Sequence, residues 1–304
     1  MPWNIPPGRY PLRVKLWSLL LVAIACGTLP SPCRADGHHI FWEVHGKHNT
    51  VYLLGSVHML KPGDSALPPE ALRAYAQSRK LVMELDLNAA DAGDSLLAET
   101  AAALLPEGQT LESVLGPSLY ASFATQAEAV GLDPQLAERF QPWFAALMLE
   151  QFELAKAGFD AQSGVDMQFA QRAQSDGKPI IGLETVDEQL GIFANLSMPQ
   201  QCDYLRATLS DASSEVSDAA KVVQAWEQGD AARLEQLLRE GSKESPELYQ
   251  RLTIDRNRRW LPKITQMLND DSGNYLIIVG ALHLIGHDGV IDLLQRSGYS
   301  PVQH

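Results

Sequence analysis

Two stretches of the chain carry the same device. Leu53-Leu54-Gly55-Ser56-Val57-His58 and Ile278-Val279-Gly280-Ala281-Leu282-His283 each run from an apolar strand pattern into Gly-x-x-His. Glycine at a strand end lets the backbone turn or another group approach closely. Ligands and catalytic groups of α/β sheets collect beyond the carboxyl ends of strands. Two imidazoles placed this way can converge although 225 residues separate them. One Gly-x-x-His is common by chance; two, each closing an apolar run, are the signal. Alternatively both histidines bond loop carbonyls. Carboxylates repeat the pattern: Met83-Glu84-Leu85-Asp86 and Gly182-Leu183-Glu184-Thr185 each put an acid at the end of a short apolar run. An acid there is costly unless it is paired or metal-bound. Glu184 has a second reading, as the acid that opens the helix signalled by Thr185, Asp187 and Glu188. For Glu84 the second reading is a salt bridge.

The elements that must position these groups are legible as runs and breaks. Ile40–Val44 and Val51–Val57 read as a hairpin around His45-Gly46-Lys47-His48-Asn49. A helix opens at Pro68-Pro69-Glu70 and runs to about Arg79, and Lys80–Leu85 is a third strand. A long helical stretch follows from Leu96, broken at Pro106-Glu107-Gly108, Gly131–Pro134 and Gly158. Within Gln135–Lys156 a wide apolar face marks a core or cap helix, and Pro142 kinks that helix or is its true start. Lys178–Glu184 interrupts with a short strand. The Ser-rich Ala212–Ser217 reads as a surface loop, and Tyr275–Gly280 is the clearest buried strand. Gly289–Arg296 is a short helix. Gly298–Val302 is a terminal edge strand, where Pro301 is tolerable. First and last strands must share a sheet to bury their faces. The fold class is therefore mixed α/β: a central mixed sheet with strands from both chain ends and a large helical insert, about 96–270. The chain divides into a signal peptide, 1–35, and a single domain, 36–304.

Arg9, Arg13 and Lys15 precede an apolar run, Leu16–Leu29, and Pro30, Pro32 and Cys33-Arg34-Ala35 follow. This predicts a signal peptide cleaved after Ala35 and a periplasmic or secreted protein. The run is shorter than the ~20 residues of a spanning helix, which predicts no stable membrane insertion after cleavage. An anchor through Cys26 as a lipoprotein is the alternative. Beyond residue 35 stand 20 basic against 37 acidic residues, a balance unsuited to nucleic acid or anionic lipid. Cys202 alone remains after cleavage, so no internal disulfide is expected, and nothing nearby in sequence activates its thiol. Cleavage would also expose Asp36-Gly37-His38, whose amine, amides and imidazole form a nitrogen set suited to Cu(II) or Ni(II).

The motifs taken together resemble the TraB/GumN (TraB/PrgY/GumN) family. The resemblance rests on Leu54-Gly55-Ser56-Val57-His58, Glu84, Gly164-Val165-Asp166, Gly182-Leu183-Glu184-Thr185, Arg256-Asn257-x-x-Trp260 and Val279-Gly280-Ala281-Leu282-His283-Leu284. Gly286-x-Asp288-Gly289-Val290, Leu293-Leu294 and Gly298-Tyr299 continue it, so that it spans about Ile40 to Val302. That family is similar to the TIKI metalloproteases and to the erythromycin-esterase and ChaN-like fold. The resemblance implies a divalent metal (Mn, Co or Zn) held by His58, His283 and Glu84, with a position open for water. Glu84 or Glu184 would take a proton from that water, and Arg256 would clamp a carboxylate or steady an oxyanion. Alternatively Arg256 pairs with Glu84 or Glu184. Asn257 and Asp166 would orient ligands or cap helices. His287 stands four residues from His283, but Gly286 between them argues for a loop and leaves it outside the ligand set. The expected function is an exported metal-dependent hydrolase acting on a peptide or small-molecule substrate. The alternatives are a binding protein with the same pocket and no turnover, and a haem or metal carrier.

Overall fold

The computed structural model describes residues 39–64, 67–86, 100–244, 246–271 and 273–304. The expected signal peptide, Cys26, the cleavage point after Ala35, Asp36-Gly37-His38 and the start of the helical stretch at Leu96 lie outside the described residues.

The fold is mixed α/β, and its sheet explains why the motifs sit where they do. Strands β1 (Phe41–His45) and β2 (Thr50–Ser56) form the expected antiparallel hairpin. Helix α1 (Pro69–Gln77) leads straight into β3 (Ser78–Met83). Strands β4 (Ile180–Gly182), β5 (Asn274–Gly280) and β6 (Val302–Gln303) complete six strands in the order β4-β3-β5-β2-β1-β6. The chain ends do share the sheet, because β6 pairs antiparallel with β1 at the edge. β2, β5, β3 and β4 run parallel to one another. Their carboxyl ends therefore lie along one edge, and each ends within three residues of a polar group: Ser56 before His58, Gly280 before His283, Met83 before Glu84, Gly182 before Glu184.

β5 is central among the parallel strands and its last six residues are all buried. It has helices on its faces, as parallel sheets require. Leu53, Leu54, Leu81, Val82, Leu276 and Ile277 are buried in one apolar core under them. A second core belongs to the helices between β3 and β5. It gathers Leu111, Phe123, Trp143, Leu149, Phe193, Tyr204 and Leu205. Its centre is helix α2 (Pro142–Lys156), where Pro142 occupies the first turn, so the proline starts the helix rather than kinking it.

One sequence expectation is overturned. Ala212–Ser217 is not a surface loop. It lies inside helix α4 (Met198–Glu227), thirty residues long. Serine and alanine tolerate a helix interior, and the apolar residues on either side decide the matter: Tyr204 and Leu205 belong to the helical core, while Ala219, Val222, Val223 and Trp226 belong to the sheet core. Before α4 come α3 (Val165–Asp176) and, after β4, a helix Val186–Ala194 that Thr185 and Glu188 start with a reciprocal capping box. After it, a π-helical turn Gln250–Ile254 feeds α5 (Asp255–Leu268). Short helices Ala281–Leu284 and Val290–Arg296 follow β5, separated by Gly286 at φ 77°, so His283 and His287 do not share a helix. The strand expected over Gly298–Val302 is confined to Val302–Gln303. Among the described residues no helix is long and apolar enough to cross a membrane.

Candidate functional site

The carboxyl edge of the parallel strands is closed by one polar cluster, and Arg256 is its centre. The π-helical turn before α5 widens the backbone spiral, a feature frequent at functional sites. From the first turn of α5, Arg256 and Asn257 project together into the protein; both have no exposed surface. Nε of Arg256 donates to both oxygens of Glu184, at 3.0 and 3.1 Å. Nη2 donates to Glu84 and also to Glu184. Nη1 donates to the Leu252 carbonyl at 3.2 Å and to His283 Nε2 at 3.0 Å. The ring of Trp260, one turn on, lies 4.7 Å from the guanidinium carbon, and its Nε1 donates to Glu184 at 3.2 Å. Each member of Arg256-Asn257-x-x-Trp260 thus has a task in this cluster.

His283 is held in one tautomer. The Asn257 amide nitrogen donates to the carbonyls of His283 (3.2 Å) and Asp288 (2.8 Å), so its Oδ1 faces the ring and accepts from Nδ1 at 2.7 Å. The Nε2 lone pair is then directed at Arg256, which can only donate. Burial, reinforced by the neighbouring guanidinium, pushes the His283 pKa down to about 3, and the imidazole is neutral.

His58 has the opposite surroundings. Gly164 caps the start of α3, and a Cβ on it would stand 2.3 Å from the His58 carbonyl oxygen, so only glycine lets these backbones meet. Val165 N–H donates to the Val57 carbonyl at 3.0 Å. Asp166, one residue on, reaches His58 Nδ1 at 3.0 Å. Gly55 likewise answers close packing: a Cβ there would lie 2.4 Å from Ile40 and 2.9 Å from the Ala281 backbone. Burial alone lowers the His58 pKa, but Asp166, helped by Glu84, outweighs it and pushes it up to about 9. Among the described residues Nε2 of His58 is buried with no hydrogen-bond partner; the nearest acid oxygen is Oε1 of Glu84, 3.9 Å away.

Glu84 lies between the two histidines. Its Oε1 accepts the Gly280 N–H at 2.8 Å, which ties the second Gly-x-x-His glycine to the acid on the neighbouring strand. Burial raises its pKa, but Arg256 and the histidines hold it at about 2. Glu184 is shifted the other way: burial outweighs Arg256 and raises its pKa. Gln189, 4% exposed, donates to Glu184 at 3.1 Å and lies 3.5 Å from Glu84. Sequence reading passed over Gln189, because a glutamine five residues beyond an acid has no signature of its own.

His58, Glu84, Asp166, Glu184, Arg256, Asn257 and His283 therefore converge. His287 is exposed and outside the cluster. Cys202 is half-buried, and burial raises its thiol pKa, away from the nucleophilic form. Among the described residues no three histidine, cysteine or acidic side chains are gathered as a ready metal shell. Nη1 of Arg256 instead takes the lone pair of His283.

Among the described residues, a parallel-strand edge closed by two Gly-x-x-His histidines, two buried glutamates and a buried arginine gives this mixed α/β fold a polar centre on that edge. The chain belongs to the TraB/PrgY/gumN family, whose family model matches residues 40–303. The uncharacterized protein YbaP of Escherichia coli (strain K12) is similar, 27% identical over 85% of this chain and 94% of its own. Metalloprotease TIKI1 of Danio rerio is 24% identical over 90% of this chain and 66% of its own, and metalloprotease TIKI2 of Xenopus tropicalis 24% over 92% and 62%. No solved structure is a significant match.

Proposed function

We propose that the protein is an exported hydrolase of peptide or other small acyl substrates that uses a divalent metal at His58 and Glu84, with His283 as the third ligand. The observation that carries the reading is the buried, unpartnered Nε2 of His58, with its other ring nitrogen fixed by Asp166. A carboxylate behind a ligating imidazole is the usual support of a histidine–metal bond. The donor set is mixed imidazole and carboxylate, suited to Mn, Co or Zn. The similarity to metalloproteases points the same way.

A metal bound there would supply Lewis-acid activation of water and of a substrate carbonyl. The chain's own residues do the rest. Asp166 holds the Nδ1–H of His58, so Nε2 is the nitrogen that would face a metal once it gives up its own proton, and Asn257 holds the Nδ1–H of the neutral His283. Arg256 bridges Glu84 and Glu184, and Gln189 donates to Glu184 beside them. Glu84 is the acid nearest Nε2 of His58 and is ionised at neutral pH, so it would serve there as a ligand or as the base that takes a proton from water. The basic, apolar N-terminus, ending at Ala35, supports export, and the acidic body supports a substrate other than nucleic acid.

The test is metal content by elemental mass spectrometry of the chain purified without a histidine tag or chelator, beside a His58→Ala/His283→Ala double variant. Near-stoichiometric metal in the wild type, lost from a folded double variant with peptide hydrolysis, is the expected result. A wild type that takes up no divalent metal sinks the proposal; metal without turnover leaves a ligand-binding protein. Asp166→Asn is expected to weaken metal binding about 10–100-fold, the range for outer partners of a ligating histidine, with the fold intact by circular dichroism. An unchanged affinity would detach Asp166 from the site.

A further inference from the structure

Arg256 is attached in two separable ways. Its Nε is held by both oxygens of Glu184, which also accepts from Nη2. Its terminal nitrogens reach across to the other two groups: Nη1 to His283 Nε2 at 3.0 Å and Nη2 to Oε2 of Glu84. His283 Nε2 is a donor atom the metal reading requires, and Oε2 belongs to the carboxylate it requires. Asn257 holds the Nδ1 proton, so Nε2 carries the one lone pair His283 can offer. A guanidinium keeps its protons at any ordinary pH and cannot itself be a ligand. Arg256 and a metal ion therefore exclude each other at Nε2. Among the described residues Arg256 makes no hydrogen bond to His58 Nε2, which has no partner, or to Oε1 of Glu84, which accepts only the Gly280 N–H, so these atoms are where a metal would be met first.

We propose that Arg256 is a built-in competitor of the metal: in the metal-free chain its guanidinium closes the site across His283 and Glu84, and metal enters at His58 by displacing those two contacts while Glu184 keeps its hold on Nε. The proposal rests on the hydrolase reading of the same site. Its consequence is that the ion is held more weakly than two histidines and a glutamate allow. The same arginine keeps two buried acids paired when no ion is present, so the empty site stays folded and ready. With a metal bound, the terminal nitrogens of Arg256 would be free to steady a substrate oxyanion.

The experiment is a Co(II) titration of the full chain stripped of metal. Affinity is read by competition with a chromogenic chelator and coordination by visible absorption, with circular dichroism as the check on folding. Arg256→Gln is expected to bind Co(II) at least tenfold more tightly than wild type. Arg256→Lys should fall between, since an ammonium can stay with the glutamates but lacks the fork that spans to His283. In a His283→Ala background the gain from Arg256→Gln should largely disappear, because the lone pair it frees is gone. A folded Arg256→Gln that binds no more tightly, or more weakly, overturns the proposal. If that variant does not fold, Arg256→Lys decides by the same criterion. Co(II) bound through His58 with no gain in either variant removes the competitor and leaves the hydrolase reading standing. No Co(II) binding by wild type or by any variant removes both.

Discussion

Glu184→Ala should cost the metal-free domain about 3–5 kcal/mol, the range for removing one partner of a buried ion pair. The side chain is 1% exposed and serves four neighbours. Arg256 donates to it through Nε and Nη2, Trp260 through its indole N–H and Gln189 through its amide, while Arg259 stands at 3.9 Å. Alanine leaves a guanidinium with no exposed surface with Glu84 as its remaining acid partner, and leaves the buried indole N–H without its acceptor. Glu184→Gln should cost less, because the amide oxygen can still accept from Trp260. Stability is 5–15 kcal/mol for most domains, so the alanine variant stands near the edge of folding. Urea unfolding at pH 7 measures it. A loss under about 1 kcal/mol, the scale of an exposed pair, would mean that Arg256 finds other partners.

Glu150→Gln should raise the melting temperature at pH 8 and have little effect at pH 4. Glu150 is 2% exposed, at the interface of α2 and α4. It accepts from Tyr204 (3.1 and 3.3 Å) and Thr208 (3.0 Å), with Glu215 and Glu153 as its acidic neighbours. No cation contacts it among the described residues. Burial and then the Glu215 charge raise its pKa well above the ordinary carboxylate value. A raised folded-state pKa means that the native protein keeps a proton which the unfolded chain releases. The associated stability is complete below the ordinary value of 4.5 and is lost as pH rises toward the folded-state value. Glutamine carries no proton to lose, keeps an oxygen for the two hydroxyls and offers an amide to Glu215. The gap between variant and wild type should therefore open with rising pH. For a domain of this size each kcal/mol moves the melting temperature by about 2–4 °C. A gap that is constant from pH 4 to pH 8 would show that the carboxyl titrates as it does in the unfolded chain.

Much of the site was legible because its residues lie at strand ends. An apolar run closed by Gly-x-x-His or by an acid can be read from one chain, and parallel pairing then carries four such ends to one edge. What could not be read was which atom meets which. Arg256 appeared as either a clamp for substrate or a partner for an acid. It pairs with both glutamates and with His283 as well, a result that depends on the side-by-side register of β2, β5 and β3 and on the π-helical turn that aims α5. Asn257 was named as an orienting or capping residue; that it sets the His283 tautomer follows only from its two carbonyl contacts, Asp288 among them. The Glu150 cluster left no trace in sequence, since a glutamate on an otherwise apolar helix is ordinary until its neighbours are known. Ala212–Ser217 was misread for the converse reason. Small polar residues suggest a loop locally, but the helix through them is dictated by apolar contacts a few turns away at each end.

That thirty-residue helix is a beam shared by two buildings. Its first half is part of the hydrophobic filling of the helical region and its second half part of the filling over the sheet, where the Trp226 indole donates to the Gly55 carbonyl at 2.7 Å, inside the first Gly-x-x-His. Neither core can come apart without unseating a helix the other needs. The two should lose structure in one step, with amides along the whole of α4 exchanging with solvent at a common, slow rate rather than in two classes. Loosening at the cap end, around Glu150, would then be felt at the strand that carries His58 as a change in how often the entire helix opens.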